Sequence, residues 1–171
     1  LGSGLFRLGR ATDPEHRVRV SFGTDMGGGN RFSMLNVLED AYKGGMCNNT
    51  LLDGSIDPVR KDVAESERNK LSPYRGFWSV TLGGAEALYI DDKLGNFEPG
   101  KEADFVALDP NGGPVAQAWH QSLITEDGLP RTLDDAANLL FGVMMVGDDR
   151  CVDETWVMGK RLYKKSATGN A

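Results

Sequence analysis

The sequence is poor in the residues that most often mark a site by themselves. It has two cysteines, Cys47 and Cys151, too few for a disulfide framework, and a reducing cytosol is the simplest setting for them. Its two histidines, His16 and His120, are isolated from each other. With no H-x-H and no H-E-x-x-H, these residues alone do not assemble the three protein ligands that a catalytic zinc takes. There is no G-x-S-x-G, and no histidine stands where it would serve a serine nucleophile. The glycine run Gly27-Gly28-Gly29 is neither a G-x-G-x-x-G opening a helix after a strand nor followed by Lys-Ser/Thr, which argues against a nucleotide phosphate. Long apolar runs are absent: the longest, from Asn138 to Val146, is under half of the ~20 residues of a membrane helix. No N-terminal stretch has the charged, apolar and small-residue order of a signal peptide. Positive charge is also scarce. Nineteen Lys and Arg against 25 Asp and Glu give a net charge of −6 and a pI near 4.9, so nucleic acid is a poor partner.

What is present is an ordinary globular composition, 40% hydrophobic and 26% charged over 171 residues, a length for one domain or parts of two. Glycine is abundant at 22 residues, nearly twice the average share of roughly 7%, which implies tight turns and close backbone approaches. The chain opens on Leu1 within what reads as a loop entering a helix, and the expectation is a piece of something longer.

Local patterns predict the following order. Residues 1–11 hold one short helix, broken at Asp13-Pro14. Arg17–Phe22 alternates, with Val18, Val20 and Phe22 on one face, a strand signal, and stops at the glycine-rich turn 23–29. A helix capped by Asn30 or Ser33 carries Met34, Leu35, Leu38, Ala41 and Tyr42 on one face and ends at Gly44-Gly45. Val59–Lys70 reads as a short solvated helix. Ser72-Pro73 opens another that runs to about Leu88 with Gly83-Gly84 inside it. Pro99-Gly100 suits a type II turn before a strand at Ala103–Leu108. Residues 109–130 read as an irregular, proline-containing linker. Thr132 with Asp135 resembles a capping box for a helix through Met144, broken at Gly147-Asp148-Asp149. A hairpin follows, Val152–Met158 and Arg161–Tyr163 around Gly159-Lys160, with a frayed polar tail from Lys164.

The most informative chemical position is Asp25. It stands at the C-terminal lip of the predicted strand, followed by glycines that let a backbone come close to a ligand, where α/β barrels place functional groups. Asp25 capping its own turn explains the pattern equally well. His16 and His120 read as exposed or structural, Cys47 and Cys151 as small core or edge residues, and Trp78, Trp119 and Trp156 as core or interface anchors. Taken alone, the chain supplies at most one member of a catalytic constellation.

Four segments carry a resemblance. Phe22-Gly23-Thr24-Asp25 with its glycine-rich turn and Ser33-Met34-Leu35 resembles the last barrel strand of the amidohydrolase superfamily, in particular its guanine deaminases. Thr81–Leu88 is similar to the helix that closes the barrel. Gly95-Asn96-Phe97-Glu98-Pro99-Gly100-Lys101-Glu102-Ala103-Asp104 resembles a motif widespread in the superfamily, and Gly147–Arg150 with Val157–Lys160 is similar to the final helix and hairpin of the guanine deaminases. The resemblance spans residues 1 to about 165. It implies an α/β fold: residues 1–90 as the C-terminal part of a (β/α)8 TIM barrel, with its last strand and flanking helices, and residues 91–171 as the C-terminal share of a small β-sandwich with one intervening helix.

The resemblance further implies zinc-dependent hydrolysis of guanine to xanthine and ammonia in the cytoplasm. Asp25 is then both metal ligand and proton-handling carboxylate. The other ligands, the proton-shuttling glutamate and the purine-reading residues lie upstream, and no role passes to His16 or His120. The partners implied are a small purine and water, with neither nucleic acid nor membrane, and a homodimer for the full enzyme. A complete barrel takes about 250 residues, so the 171 residues are expected to be a C-terminal fragment that alone neither holds zinc tightly nor deaminates, and that aggregates unless its edges are paired. Two other readings stay open: an amidohydrolase acting on a triazine or pyrimidine ring, and a non-enzymatic interaction module.

Overall fold

A computed structural model describes residues 4–16, 18–52, 54–123 and 129–166. Among them, helices precede and flank one small sheet. The helices are α1 (Leu8–Ala11), α2 (Met34–Leu52), α3 (Val63–Asn69), α4 (Pro73–Ser79), α5 (Leu82–Ala87), α6 (Pro114–Leu123) and α7 (Leu133–Val146), and the strands are β1 (Phe105–Leu108), β2 (Val152–Val157) and β3 (Lys160–Lys164). No helix among the described residues is long and apolar enough to cross a membrane.

The short helix before Asp13-Pro14 forms as α1, but the alternating segment after it makes no ladder. Residues 18–22 carry no strand assignment. Alternation sets which side chains share a face, whereas a strand also needs a neighbour to take its N–H and C=O groups, and no described segment pairs with this one.

Helix α2 does not stop at Gly44-Gly45; it continues to Leu52. Gly45 is buried, and a Cβ there would overlap the main-chain oxygen of Asn69. Its bare backbone admits the end of α3 rather than ending α2. Nor is α3 a solvated helix. Asp62 caps it, its carboxylate accepting the N–H of Glu65 at 2.9 Å, while Glu65 and Asn69 are buried.

Ser72 and Pro73 open α4 as their chemistry dictates, with the Ser72 hydroxyl accepting from the Arg75 N–H. The single helix expected to reach Leu88 is two. Thr81 leaves helical geometry at φ −125° and ψ −106°, and its hydroxyl turns back to the carbonyl of Phe77 at 2.7 Å. Gly83 then meets the Trp78 indole, 2.7 Å from where a Cβ would sit.

The linker expected over 109–130 contains α6. Pro114 sits in its first turn, where a missing N–H costs nothing, and Ala116 and His120, four apart, form its buried face. Helix α7 starts at the full capping box: Thr132 accepts from the Asp135 N–H, and the Asp135 carboxylate accepts from the Thr132 N–H.

The sheet is antiparallel in the order β1-β2-β3. Phe105 lies opposite Trp156, and Trp156 opposite Arg161. The Phe105 and Trp156 rings stack 5.4 Å apart, and the Arg161 guanidinium lies 5.7 Å from the Trp156 ring. The hairpin turns at Met158-Gly159, one residue before the expected pair, with φ of 51° and 73°, as a two-residue type I′ loop requires. Gly100 has φ +98°, fitting its place after Pro99 in a type II turn. Of the tail, Lys164 ends β3 and Lys165 donates its N–H to the Asp153 carbonyl at 2.7 Å; residues 167–171 lie outside the described residues. The buried cluster of Leu35, Ala116, Val143 and Cys151, with Phe77, Leu108 and Val146 against it, joins α2, α4, α6, α7 and the sheet.

Candidate active site

The segment that carries Asp25 is held from both sides. Before it, a web of polar contacts fastens residues 6–13 to the helices. Arg7 makes a two-pronged contact with the buried Glu65, at 2.8 and 2.5 Å, which raises the guanidinium above its ordinary pKa. The Gly9 N–H donates to Asn69 Oδ1 at 2.7 Å, and Asn69 Nδ2 donates to Asn49. Asn48 donates to the Phe6 carbonyl. Arg68 donates to the Gly9 carbonyl and pairs with Asp13. Arg75, whose partial burial lowers its pKa, donates to the Arg68 carbonyl and the Thr12 hydroxyl. The signal for this web was in the spacing of Glu65 and Asn69, four apart and thus on one face of a helix; polar letters there suggested solvent instead.

Beyond the web, the Val18 N–H donates to the Ala11 carbonyl at 3.2 Å. Arg19 reaches across to α5, donating to the Glu86 carbonyl at 2.6 Å while its guanidinium lies 4.8 Å from the Tyr89 ring centre. Tyr89 adopts φ 59° where the chain leaves α5. Its N–H meets the Glu86 carbonyl, and the Ile90 N–H meets the Ala85 carbonyl. That is the paired closure a left-handed residue gives a helix end, a place usually held by glycine.

At the other end of the segment the chain turns tightly. Asp25 has φ 47°, a left-handed conformation that Asp tolerates better than most residues. Its carbonyl accepts from the N–H groups of both Gly28 and Gly29, at 3.0 and 2.6 Å. Its side chain is exposed and, among the described residues, forms no ion pair. The glycines fit tightly around it. A Cβ on Gly28 would lie 2.6 Å from Asp25 Oδ2, and one on Gly29 would overlap the Thr24 carbonyl. The backbone that the glycine run lets come close is, in this structure, Asp25's own turn.

The other sequence candidates lie apart from this turn. His16 is exposed, whereas His120 is buried with Nδ1 2.9 Å from Asn111 Oδ1. Cys47 is exposed and Cys151 buried in the core. Trp78 covers Gly83, Trp119 covers Gly142, and Trp156 stacks on Phe105. No three His, Cys, Asp or Glu side chains among the described residues converge as a metal centre. An exposed carboxylate over a glycine cradle suits zinc as one oxygen ligand, so these residues fit the metal at a single point.

The chain belongs to the amidohydrolase family, whose model matches residues 2–162. It is 36% identical over 166 residues to the guanine deaminase of Escherichia coli (strain K12), covering 97% of this chain and 31% of that protein. It is 31% identical over 168 residues to the guanine deaminase of Mus musculus, covering 98% and 32%. Among solved structures it is similar to the crystal structure of guanine deaminase from Bradyrhizobium japonicum, with 85% identity and a TM-score of 0.90 over 96% of this chain and 35% of that one. The chain spans about a third of the length of the relatives it matches.

Proposed function

We propose that this chain is the C-terminal third of a zinc-dependent guanine deaminase, which hydrolyses guanine with one water to xanthine and ammonia in the cytoplasm. The observation that carries the reading is the exposed Asp25 carboxylate on its glycine turn, in a chain similar along almost its whole length to guanine deaminases. Asp25, with ligands from the remainder of the protein, would hold zinc, which would supply the positive charge that makes a water acidic enough to react near neutral pH. Asp25 is the group of this chain that handles the proton: a carboxylate oxygen takes it from the attacking water and orients the water towards the ring carbon bearing the amino group. The polar web and Arg19 hold the segment on which Asp25 rides. Residues that read the purine edge belong to the remaining two thirds, with a barrel completed around residues 18–25 and a homodimer as the assembly. The 171 residues alone have one ligand to offer, so they neither retain zinc nor turn over guanine.

The test is Asp25→Asn in the full-length enzyme. Guanine turnover is expected to fall by at least about 100-fold, the scale on which a positioned proton acceptor acts, and bound zinc to fall with it. Unchanged turnover and zinc content would remove Asp25 from the site.

A further inference from the structure

We infer that Gly28 is the positioning residue for the Asp25 carboxylate, an inference that rests on the role proposed above for Asp25. The glycines of this turn are bare for different reasons. Gly27 has φ +122°, a backbone conformation that side chains rarely allow. Gly29 faces main chain: a Cβ there would strike the Thr24 carbonyl, which has no freedom to move. Gly28 has neither constraint. The first atom its Cβ would meet is Asp25 Oδ2 at 2.6 Å, then Asp25 Cγ at 3.5 Å, with the Asp25 carbonyl oxygen third at 3.8 Å.

The carboxylate is therefore folded back toward Gly28, with Oδ2 in the space that a Cβ there would fill. A carboxylate on two rotatable bonds can swing away from an added methyl at little cost to the fold. It cannot stay where it is, because 2.6 Å is well inside the contact distance of carbon and oxygen. The turn beneath does not give way, since the Asp25 carbonyl is fastened by two N–H groups.

The experiment compares Gly28→Ala with the parent in the full-length enzyme by zinc affinity in competition with a chromogenic chelator, by kcat and KM for guanine, and by Tm. Gly28→Ala is expected to weaken zinc binding and lower kcat by about 10- to 100-fold, the usual effect of disturbing what orients a metal ligand. KM should stay within about 2-fold, because substrate contacts lie elsewhere, and Tm within about 3 °C. Parental zinc affinity in Gly28→Ala overturns the inference. A fall in Tm well beyond that range also overturns it, since the methyl would then have met main chain and not the carboxylate. Asp25→Asn separates the two readings: if it leaves zinc binding intact, the proposed role of Asp25 fails. If it abolishes binding while Gly28→Ala does not, only the assignment of Gly28 fails.

Discussion

Asn69 is fully buried between helices and brings its own partners with it. Its amide oxygen takes the Gly9 N–H, and its amide nitrogen serves Asn49. Asn69→Ala strands both groups away from water, and each loses a hydrogen bond it cannot replace. The expected loss is about 3 kcal/mol, read as a lower denaturant midpoint of the full-length protein. Breaking the exposed Lys70–Glu67 pair that flanks it in sequence should cost about 0.5 kcal/mol or less. This contrast marks the limit of reading the sequence at the residue scale. A reading that counts apolar letters as buried and polar ones as wet turns Glu65 and Asn69 outward, because their partners at Arg7 and Gly9 lie about sixty positions away. The turn at Asp25 was legible for the opposite reason: a turn is built from neighbours, and the glycines in it stand in plain view.

Among the elements, α7 shows local chemistry at work. The Asp135 carboxyl is held below its ordinary pKa of 3.8, chiefly by the Arg131 N–H and then by the hydroxyl and N–H of Thr132. A carboxyl whose pKa is lowered by folding contributes stability above its unfolded value and loses it as pH falls through the lowered one. Asp135→Asn should therefore flatten the fall in stability below about pH 4, seen in denaturation midpoints across acid buffers. Thr132→Ala should cost about 1 kcal/mol at neutral pH. Caps of this kind made α4 and α7 visible in the sequence. The misreadings arise where an element answers to something distant. Gly44-Gly45 looks like a helix end until α3 arrives beside it. Residues 18–22 look like a strand, but alternation provides no neighbour. Helix α6 was masked by prolines, one of which sits in its first turn.

At the scale of the molecule, much apolar surface faces outward. Phe32, Val59 and Phe97 are each more than four-fifths exposed, and both outer strands of the sheet, β1 and β3, lack a further neighbour among the described residues. Expressed by themselves, the 171 residues should self-associate, visible as light scattering that rises with concentration. A monodisperse monomer would contradict this. The contact between α1 and α3 has a further consequence. Helix α1 is four residues long, short enough that its amides should trade protons with solvent almost freely. Yet the Gly9 N–H is locked onto an asparagine that water does not reach. In deuterium oxide this one amide should keep its proton long after its neighbours on the same turn have lost theirs, and its exchange rate would report when the loop leading to Asp25 lets go of the helices behind it.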